Sequence, residues 1–264
     1  MREPTEGFSR AGGCEAGRKS RIGVSCVWSA ETWGCGGDLE EFHYVGKRYV
    51  DAVLKSGGIP LLLPVVEEEP AVASAVEGMT EAVDGLLLSG GGDVGGGTKG
   101  RSLAPTLFGQ QPARYLFEKE LILCARRKGI PMLGICRGFQ MIVEVLGGRL
   151  APGTVKGHRQ LEAGDRASHG LVLYRGTEAN RVLGTERMWV NSFHVQSVAA
   201  VPDGFVVSGL SYDGVIEFIE SSSDGFLWGV QFHPEEMYDV DEKAKRIIDA
   251  FVEKARAYGK FRTS

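Results

Sequence analysis

The stretch Gly129 to Gly148, reading GIPMLGICRGFQMIVEVLGG, constrains the fold more than any other part of the chain. Ile130 to Ile135 is a short apolar run of the kind that forms a fully buried strand. Phe139, Ile142, Val143 and Leu146 then recur at three- and four-residue spacing, the apolar stripe of a helix. Gly147-Gly148 ends that helix. Between strand and helix lies Gly134-Ile135-Cys136-Arg137-Gly138, a G-x-C-x-G version of the nucleophile elbow. A turn this sharp leaves little room for β-carbons and calls for positive φ, which is what the glycines offer. It lifts the sulfur above the sheet and sets it at a helix N-terminus, where N–H groups and the macrodipole favour negative charge. A free cysteine is more often a small buried hydrophobe; the flanking glycines and the strand-to-helix switch favour a nucleophile.

Upstream the same alternation repeats. Arg21 to Trp28 reads as a strand, and Leu39, Phe42, Val45, Tyr49 and Val53 mark a helix ending at Gly57-Gly58. Ile59 to Leu63 is a second strand, a weaker helix runs from Val72 to Met79, and Asp84 to Leu88 is a third strand opening into Ser89-Gly90-Gly91-Gly92-Asp93. After a Gly- and Pro-rich excursion from Val94 to Pro112, a helix from about Tyr115 to Lys128 feeds the cysteine strand. The pattern predicts an α/β fold, a mostly parallel central sheet with helices on both faces. Ligands on such sheets bind beyond the strand C-termini, where the triple glycine and Cys136 would both lie. After residues 149–170, read as loop, come short strand-like pieces at Leu171–Tyr174, Met188–Val190, Phe205–Ser208, Val215–Ile219 and Leu227–Phe232. They predict a small β-rich portion in the C-terminal half, closed by an amphipathic helix from Asp241 to Tyr258.

Residues 1–20 lack the apolar centre of a signal peptide and are expected to form a disordered tail, with residues 21–260 as one domain. A net charge of −4 gives no electrostatic case for nucleic acid or an anionic membrane, and no apolar run approaches spanning length. The basic run Arg126-Arg127-Lys128 sits at a predicted helix C-terminus, where cations are expected anyway. Five cysteines without C-x-x-C spacing suit neither a disulfide framework nor a zinc site, so the expected setting is a reducing cytoplasm and the expected metal is none. Cys14, Cys26, Cys35 and Cys124 read as structural or incidental.

A cysteine that attacks an amide needs a base and N–H donors for the oxyanion. His43 falls in a predicted helix, and His158 and His169 in the irregular middle. His233, in Trp228-Gly229-Val230-Gln231-Phe232-His233-Pro234-Glu235, follows a buried-looking strand and has a carboxylate two residues on. Pro234 stiffens the link, so Glu235 could orient the ring and stabilise the imidazolium. His194, in Asn191-Ser192-Phe193-His194-Val195-Gln196, is the second choice of base, with no carboxylate close in sequence. Gly90, Gly91 and Gly92 are natural oxyanion donors, with the Arg137 N–H after the nucleophile. The triple glycine fits neither a dinucleotide fingerprint nor a Walker A loop.

Together these pieces resemble the class I glutamine amidotransferase superfamily, nearest to its peptidase C26 or γ-glutamyl-γ-aminobutyrate hydrolase branch. The likeness runs from about Arg21 to Tyr258, and its most specific parts are Pro131 to Gln140 and Gly229 to Glu235. Leu88 to Asp93, Val190 to Gln196 and Asp213 to Glu217 support it. The resemblance implies a flavodoxin-like sheet and a Cys136–His233–Glu235 triad. It places Gln140 against a bound glutamyl group, and Ser192, Phe193 and His194 at the substrate's α-amino and α-carboxylate end. Arg137 resembles the hydrolase branch, since subunits with a synthase partner usually carry leucine after the nucleophile. Two departures fall near the expected pocket mouth: Asp93-Val94 runs into Gly95-Gly96-Gly97, and the family's Arg-Asp-x-x-Glu appears as Arg114-Tyr115-Leu116-Phe117-Glu118.

The expectation is a hydrolase that cleaves a γ-glutamyl amide through a γ-glutamyl thioester, with no cofactor. Its partner would be a small γ-glutamyl substrate, with no nucleic acid, membrane or synthase partner expected and a homo-oligomer left open. The alternatives are a glutaminase subunit passing ammonia to a synthase, and a non-catalytic γ-glutamyl-binding protein.

Overall fold

The computed structural model of the protein describes residues 18–32, 39–91, 107, 111–223 and 225–263. The first apolar run divides at Cys26 into β1 (Arg21–Ser25) and β2 (Val27–Thr32), which turns back as β3 (Leu39–Tyr44). The helix expected from Leu39 therefore begins only at Lys47, as α1 (Lys47–Lys55). Two physical facts override the helical spacing. Gly46 is extended immediately before the helix, and Leu39 to Tyr44 finds antiparallel ladder partners along β2 from Thr32 to Val27. His43 lies on that hairpin, its Nδ1 accepting from the Val65 N–H at 3.3 Å.

Strand β4 (Ile59–Leu63), α2 (Glu69–Ala82), β5 (Gly85–Leu88), α3 (Pro112–Lys128), β6 (Met132–Ile135) and α4 (Arg137–Val145) follow as the alternation predicts. Gly129 caps α3 in the left-handed region, with Arg126, Arg127 and Lys128 in its last turn. Beyond them come β7 (Arg149–Leu150), β8 (His169–Leu173), α5 (Glu178–Leu183), β9 (Arg187–Val190) and β10 (Val198–Ala200). The chain ends with β11 (Phe205–Ser211), β12 (Ile216–Ser221), β13 (Leu227–Val230), α6 (Pro234–Met237) and α7 (Glu242–Thr263).

Nine of these strands form one sheet, in the order β4-β1-β5-β6-β13-β12-β11-β8-β9. From β4 to β13 the pairing is parallel; from β13 to β9 it is antiparallel. The β-rich C-terminal part thus continues the central sheet. Strands on this sheet sort alternate residues to opposite faces. On β5, Leu87 packs with Tyr49 and Val53 of α1 and Phe251 of α7, while Leu86 and Leu88 pack with Phe117 of α3 and Ile142 of α4. Each such leucine contributes about 1.5–3 kcal/mol by leaving water. Among the described residues, no helix is long and apolar enough to cross a membrane.

One register matters most for function. Strand β13 lies parallel to β6 with Val230 opposite Ile135, and the Cys136 N–H donates to the Val230 carbonyl at 2.8 Å. The strand leading to Cys136 and the strand leading to His233 therefore end side by side.

At the other end of β1, the segment expected as tail reaches the fold. Ser20 is buried, its carbonyl accepts from the Ile59 N–H at 2.8 Å, and Arg18 pairs with Asp84 at 3.1 Å. Residues 1–17 lie outside the described residues.

Candidate active site

Cys136 has φ 52° and ψ −104°, and among the described residues it alone combines positive φ with a side chain. This is the conformation that a type II′ turn normally gives to glycine, and holding it costs about 1–3 kcal/mol. The expectation that the flanking glycines supply positive φ is corrected here; they supply room. A β-carbon at Gly138 would lie 2.1 Å from the Leu88 carbonyl oxygen, and one at Gly134 would lie 2.6 Å from the Gly138 oxygen. Gly138 thus lets the elbow press against β5, Gly134 lets the helix close over β6, and the strain falls on the cysteine between them.

His233 leaves β13 as the residue before α6, with Pro234 in the helix's first turn. Its Nδ1 is 2.6 Å from Glu235 Oε1. With Nδ1–H donating to that carboxylate, Nε2 is the atom left for chemistry. The ring's backbone is gripped by Asn191, whose Oδ1 accepts from the His233 N–H at 2.8 Å and whose Nδ2 donates to the His233 carbonyl at 2.9 Å. Phe193 meets the imidazole edge-on at 5.8 Å between centroids. Burial alone would lower the His233 pKa, but the Glu235 carboxylate and the hydrogen-bonded Cys136 sulfur outweigh it and raise it well above the ordinary value. The fold brings Cys136, His233 and Glu235 together.

Around them lies a second set of groups. The Tyr49 hydroxyl accepts from the Gly90 N–H at 2.9 Å and sits 3.4 Å from His233 Nδ1. Burial, with the Glu235 and Cys136 charges, raises the Tyr49 pKa well above the ordinary value, so it stays a phenol. This corrects the reading of Gly90 as an oxyanion donor, because its N–H is already committed to Tyr49. Gly91, at φ 75°, and Arg137 are the donors that remain; Gly92 lies outside the described residues.

Arg114 explains how this loop is aimed. Its guanidinium donates to the carbonyls of Gly91 at 2.8 Å, Ser89 at 2.9 Å and Gly90 at 3.3 Å. In a trans peptide the C=O and the next N–H point opposite ways, so drawing the Gly90 carbonyl to Arg114 turns the Gly91 N–H the other way. Arg114 is in turn fixed by Glu118 at 2.9 Å, and Glu118 also binds Ser25 Oγ and the Arg137 guanidinium. Burial would raise the Glu118 pKa, but the two arginines and Ser25 hold it below the usual range. Burial likewise lowers the Arg137 pKa, to about 10, against the pull of Glu118. The departure from the family motif at Tyr115 leaves this Arg114–Glu118 pair in place; the Gly95–Gly97 departure lies outside the described residues.

The residues expected at the substrate show a mixed result. Gln140 is buried one helical turn beyond Cys136, and its amide donates to the Gln196 carbonyl at 3.2 Å and to Gln231 at 3.0 Å. Ser192 gives its N–H to Gln160 at 2.7 Å and its hydroxyl to the His158 carbonyl at 2.7 Å, while the His194 N–H also goes to that carbonyl. Those groups bind the 158–160 segment, and only Phe193 of the three reaches the catalytic ring. His194 is not a rival base: its Nδ1 bonds to the Gln196 carbonyl at 2.8 Å and its Nε2 lies 3.2 Å from the buried carboxylate of Glu217. His158 and His169 face the same carboxylate, and these two with Glu217 form a group able to hold a cation.

Sequence reasoning misses Tyr49, Asn191 and the purpose of Arg114. Tyr49 reads as one member of a core stripe; the others have no local signal beyond the motifs that contain them. Cys26 and Cys124 are buried, as expected of structural thiols, with burial pushing the Cys26 pKa up to about 11. Cys14 and Cys35 lie outside the described residues.

A strained cysteine at the end of a parallel strand, beside a carboxylate-oriented histidine on the next one, defines a thiol hydrolase of the α/β class. The family model for peptidase C26 matches residues 22–235, and the chain belongs to that family of glutamine amidotransferase-like hydrolases acting on C–N amide bonds. Protein NtpR of Enterococcus hirae is 31% identical over 218 residues, covering 80% of this chain and 89% of the relative. A γ-glutamyl-γ-aminobutyrate hydrolase of Escherichia coli is 30% identical over 208 residues, covering 72% of this chain and 77% of the relative. A solved structure from Thermoplasma acidophilum, assigned to GMP synthase, superposes with a TM-score of 0.64 at 18% identity. That match covers 94% of this chain and 100% of the other, and it bears on the fold alone.

Proposed function

We propose that the protein hydrolyses a γ-glutamyl amine, γ-glutamyl-γ-aminobutyrate or a near relative, through a γ-glutamyl thioester. The observation that carries this reading is the meeting of Cys136 with the His233–Glu235 pair at adjacent strand ends. The Cys136 sulfur attacks the γ-carbonyl, and the N–H groups of Gly91 and Arg137 receive the oxyanion. His233, protonated and oriented by Glu235, gives its proton to the departing amine as the C–N bond breaks. The neutral ring then takes a proton from water, whose oxygen displaces the sulfur, and glutamate leaves. Gln140 and Phe193 line the glutamyl side in this reading. The substrate is a small molecule met in the cytoplasm, with no synthase partner, nucleic acid or membrane involved. The relative that acts on γ-glutamyl-γ-aminobutyrate and the arginine after the nucleophile support it.

The test is glutamate release by the purified protein from a panel of γ-glutamyl amides. Cys136→Ala is expected to reduce turnover by at least about 10⁴-fold and to leave unfolding by urea unchanged. Hydrolysis at the parent rate in that variant would reject Cys136 as the nucleophile.

A further inference from the structure

Behind the segment that grips His233 lies a second cluster, unused by the reaction. His158, His194 and Glu217 are each at most 4% exposed, and His169 stands at the start of β8 beside them. His158 Nδ1, His194 Nε2 and Glu217 Oε1 form a nearly equilateral triangle with edges of 3.1, 3.1 and 3.2 Å. His169 Nε2 lies 3.4 Å from the same oxygen.

The outer nitrogens fix what these atoms can be. His194 Nδ1 faces the Gln196 carbonyl and His158 Nε2 faces the Asp213 carboxylate at 3.1 Å, and both of these neighbours can only accept. Each ring must therefore donate outward, which turns a lone pair inward on Nδ1 of His158 and Nε2 of His194. Two lone pairs and a carboxylate oxygen then converge at hydrogen-bond distance, an arrangement that repels itself unless a cation sits among them. A proton on His158 would relieve two edges of the triangle. It would still leave Glu217 Oε2 and His169 Nδ1 buried without a partner, as they are here.

We infer that His158, His169, His194 and Glu217 are the ligands of a zinc ion that holds the Asn191–Gln196 segment against the 158–160 segment. Tetrahedral zinc with bonds of about 2.0–2.1 Å places its ligand atoms roughly 3.3–3.4 Å apart, close to the 3.1–3.4 Å that separate the three histidines from Glu217 Oε1 and His158 from His194. An imidazole whose other nitrogen donates to a carboxylate or a backbone carbonyl is the usual outer shell of a zinc histidine, and Asp213 and Gln196 supply it. Four protein ligands leave no open position, so the ion is structural and takes no part in amide cleavage. Cysteine spacing gives no sign of such a site, which is why the sequence leads to an expectation of no metal. These ligands are histidines and a glutamate scattered over some sixty residues.

The zinc site does not depend on the γ-glutamyl reading, and its test need not use activity. The full-length protein, carrying no histidine tag, is stripped with a chelator and titrated with Zn²⁺ alone. One zinc per chain is expected, with a raised thermal midpoint in the loaded form. Co²⁺ in its place should give the intense visible bands of a four-coordinate site without a thiolate charge-transfer band. Cys136→Ala should keep the full stoichiometry, which separates this site from metal captured by the catalytic thiol. His169→Ala, at the partly exposed edge, and Glu217→Gln should bind at least about tenfold more weakly, and Asp213→Ala about tenfold more weakly. A folded parent that takes up no zinc, or zinc that survives His169→Ala undiminished and disappears in Cys136→Ala, would overturn the assignment.

Discussion

The parallel and antiparallel halves of the sheet build the site by different means. The parallel half works through the backbone: the positive φ of Cys136, the bare approach of Gly138 to Leu88, and the Ser89–Gly91 carbonyls turned onto Arg114. The antiparallel half works through side chains that meet from distant positions. Asn191 holds the backbone of His233, and Glu217 gathers histidines from three separate segments. A backbone device tolerates almost no added atom. A side-chain device tolerates substitution in proportion to the contacts it loses.

Gly138→Ala tests the first statement and should have the largest effect. The new β-carbon would meet the Leu88 carbonyl carbon at 2.7 Å as well as its oxygen at 2.1 Å, and neither backbone atom belongs to a flexible side chain. The elbow and β5 must separate, at a cost of about 3 kcal/mol or more. Urea unfolding checks this, and a midpoint equal to the parent's would show that the close approach is not required.

Glu235→Gln comes next. The raised pKa of His233 means that its imidazolium and the pairing with Glu235 persist at and below neutral pH. Both are lost as pH rises through that folded-state value, so the alkaline side is where stability and rate should fall. Without the Glu235 carboxylate the alkaline limb of kcat/KM should move to lower pH, and the rate at neutral pH should drop by about 10²-fold or more. An alkaline limb that stays in place would remove Glu235 from the orienting role.

Asn191→Ala should cost about tenfold in kcat with little change in KM, because it loosens the ring's backbone without touching substrate. Leaving the His233 N–H buried and unpaired should also cost about 1–3 kcal/mol of stability. Steady-state kinetics on a fixed γ-glutamyl amide separate the two parameters, and a rise confined to KM would place Asn191 at the substrate instead.

The same contrast decides what can be read from the sequence. Buried parallel strands are near-continuous apolar runs, and the glycines of an elbow sit next to the residue they serve, so β5, β6, α4 and Cys136 are all legible. The His233-Pro234-Glu235 link is legible too, since its partners are two residues apart. Tyr49, Asn191 and the Glu217 cluster are not, because their partners are fixed by sheet register and lie tens of residues away. Strand β3, which reads as part of a helix, has the same origin: periodicity in one segment cannot reveal that another segment offers it a ladder. Gly90 is a subtler case. Its place beside the nucleophile is legible, but only the fold shows Tyr49 already occupying its N–H.

The smallest predicted effect isolates the backbone device from the chemistry it serves. Cys136→Gly and Cys136→Ala both remove the sulfur, and both should be inactive. They differ in the conformation they must adopt. Alanine keeps the β-carbon at φ 52°, while glycine reaches that region without penalty. Strain relief of about 1–3 kcal/mol is offset in part by the greater freedom of glycine in the unfolded chain, roughly 0.5–1 kcal/mol. The glycine variant should therefore be more stable than the alanine variant by about 1 kcal/mol, measured as the difference in urea unfolding free energy at constant slope. An alanine variant more stable than the glycine variant by about 0.5–1 kcal/mol would mean that the elbow holds Cys136 without strain, and that the parallel half exposes its nucleophile at no cost in stability.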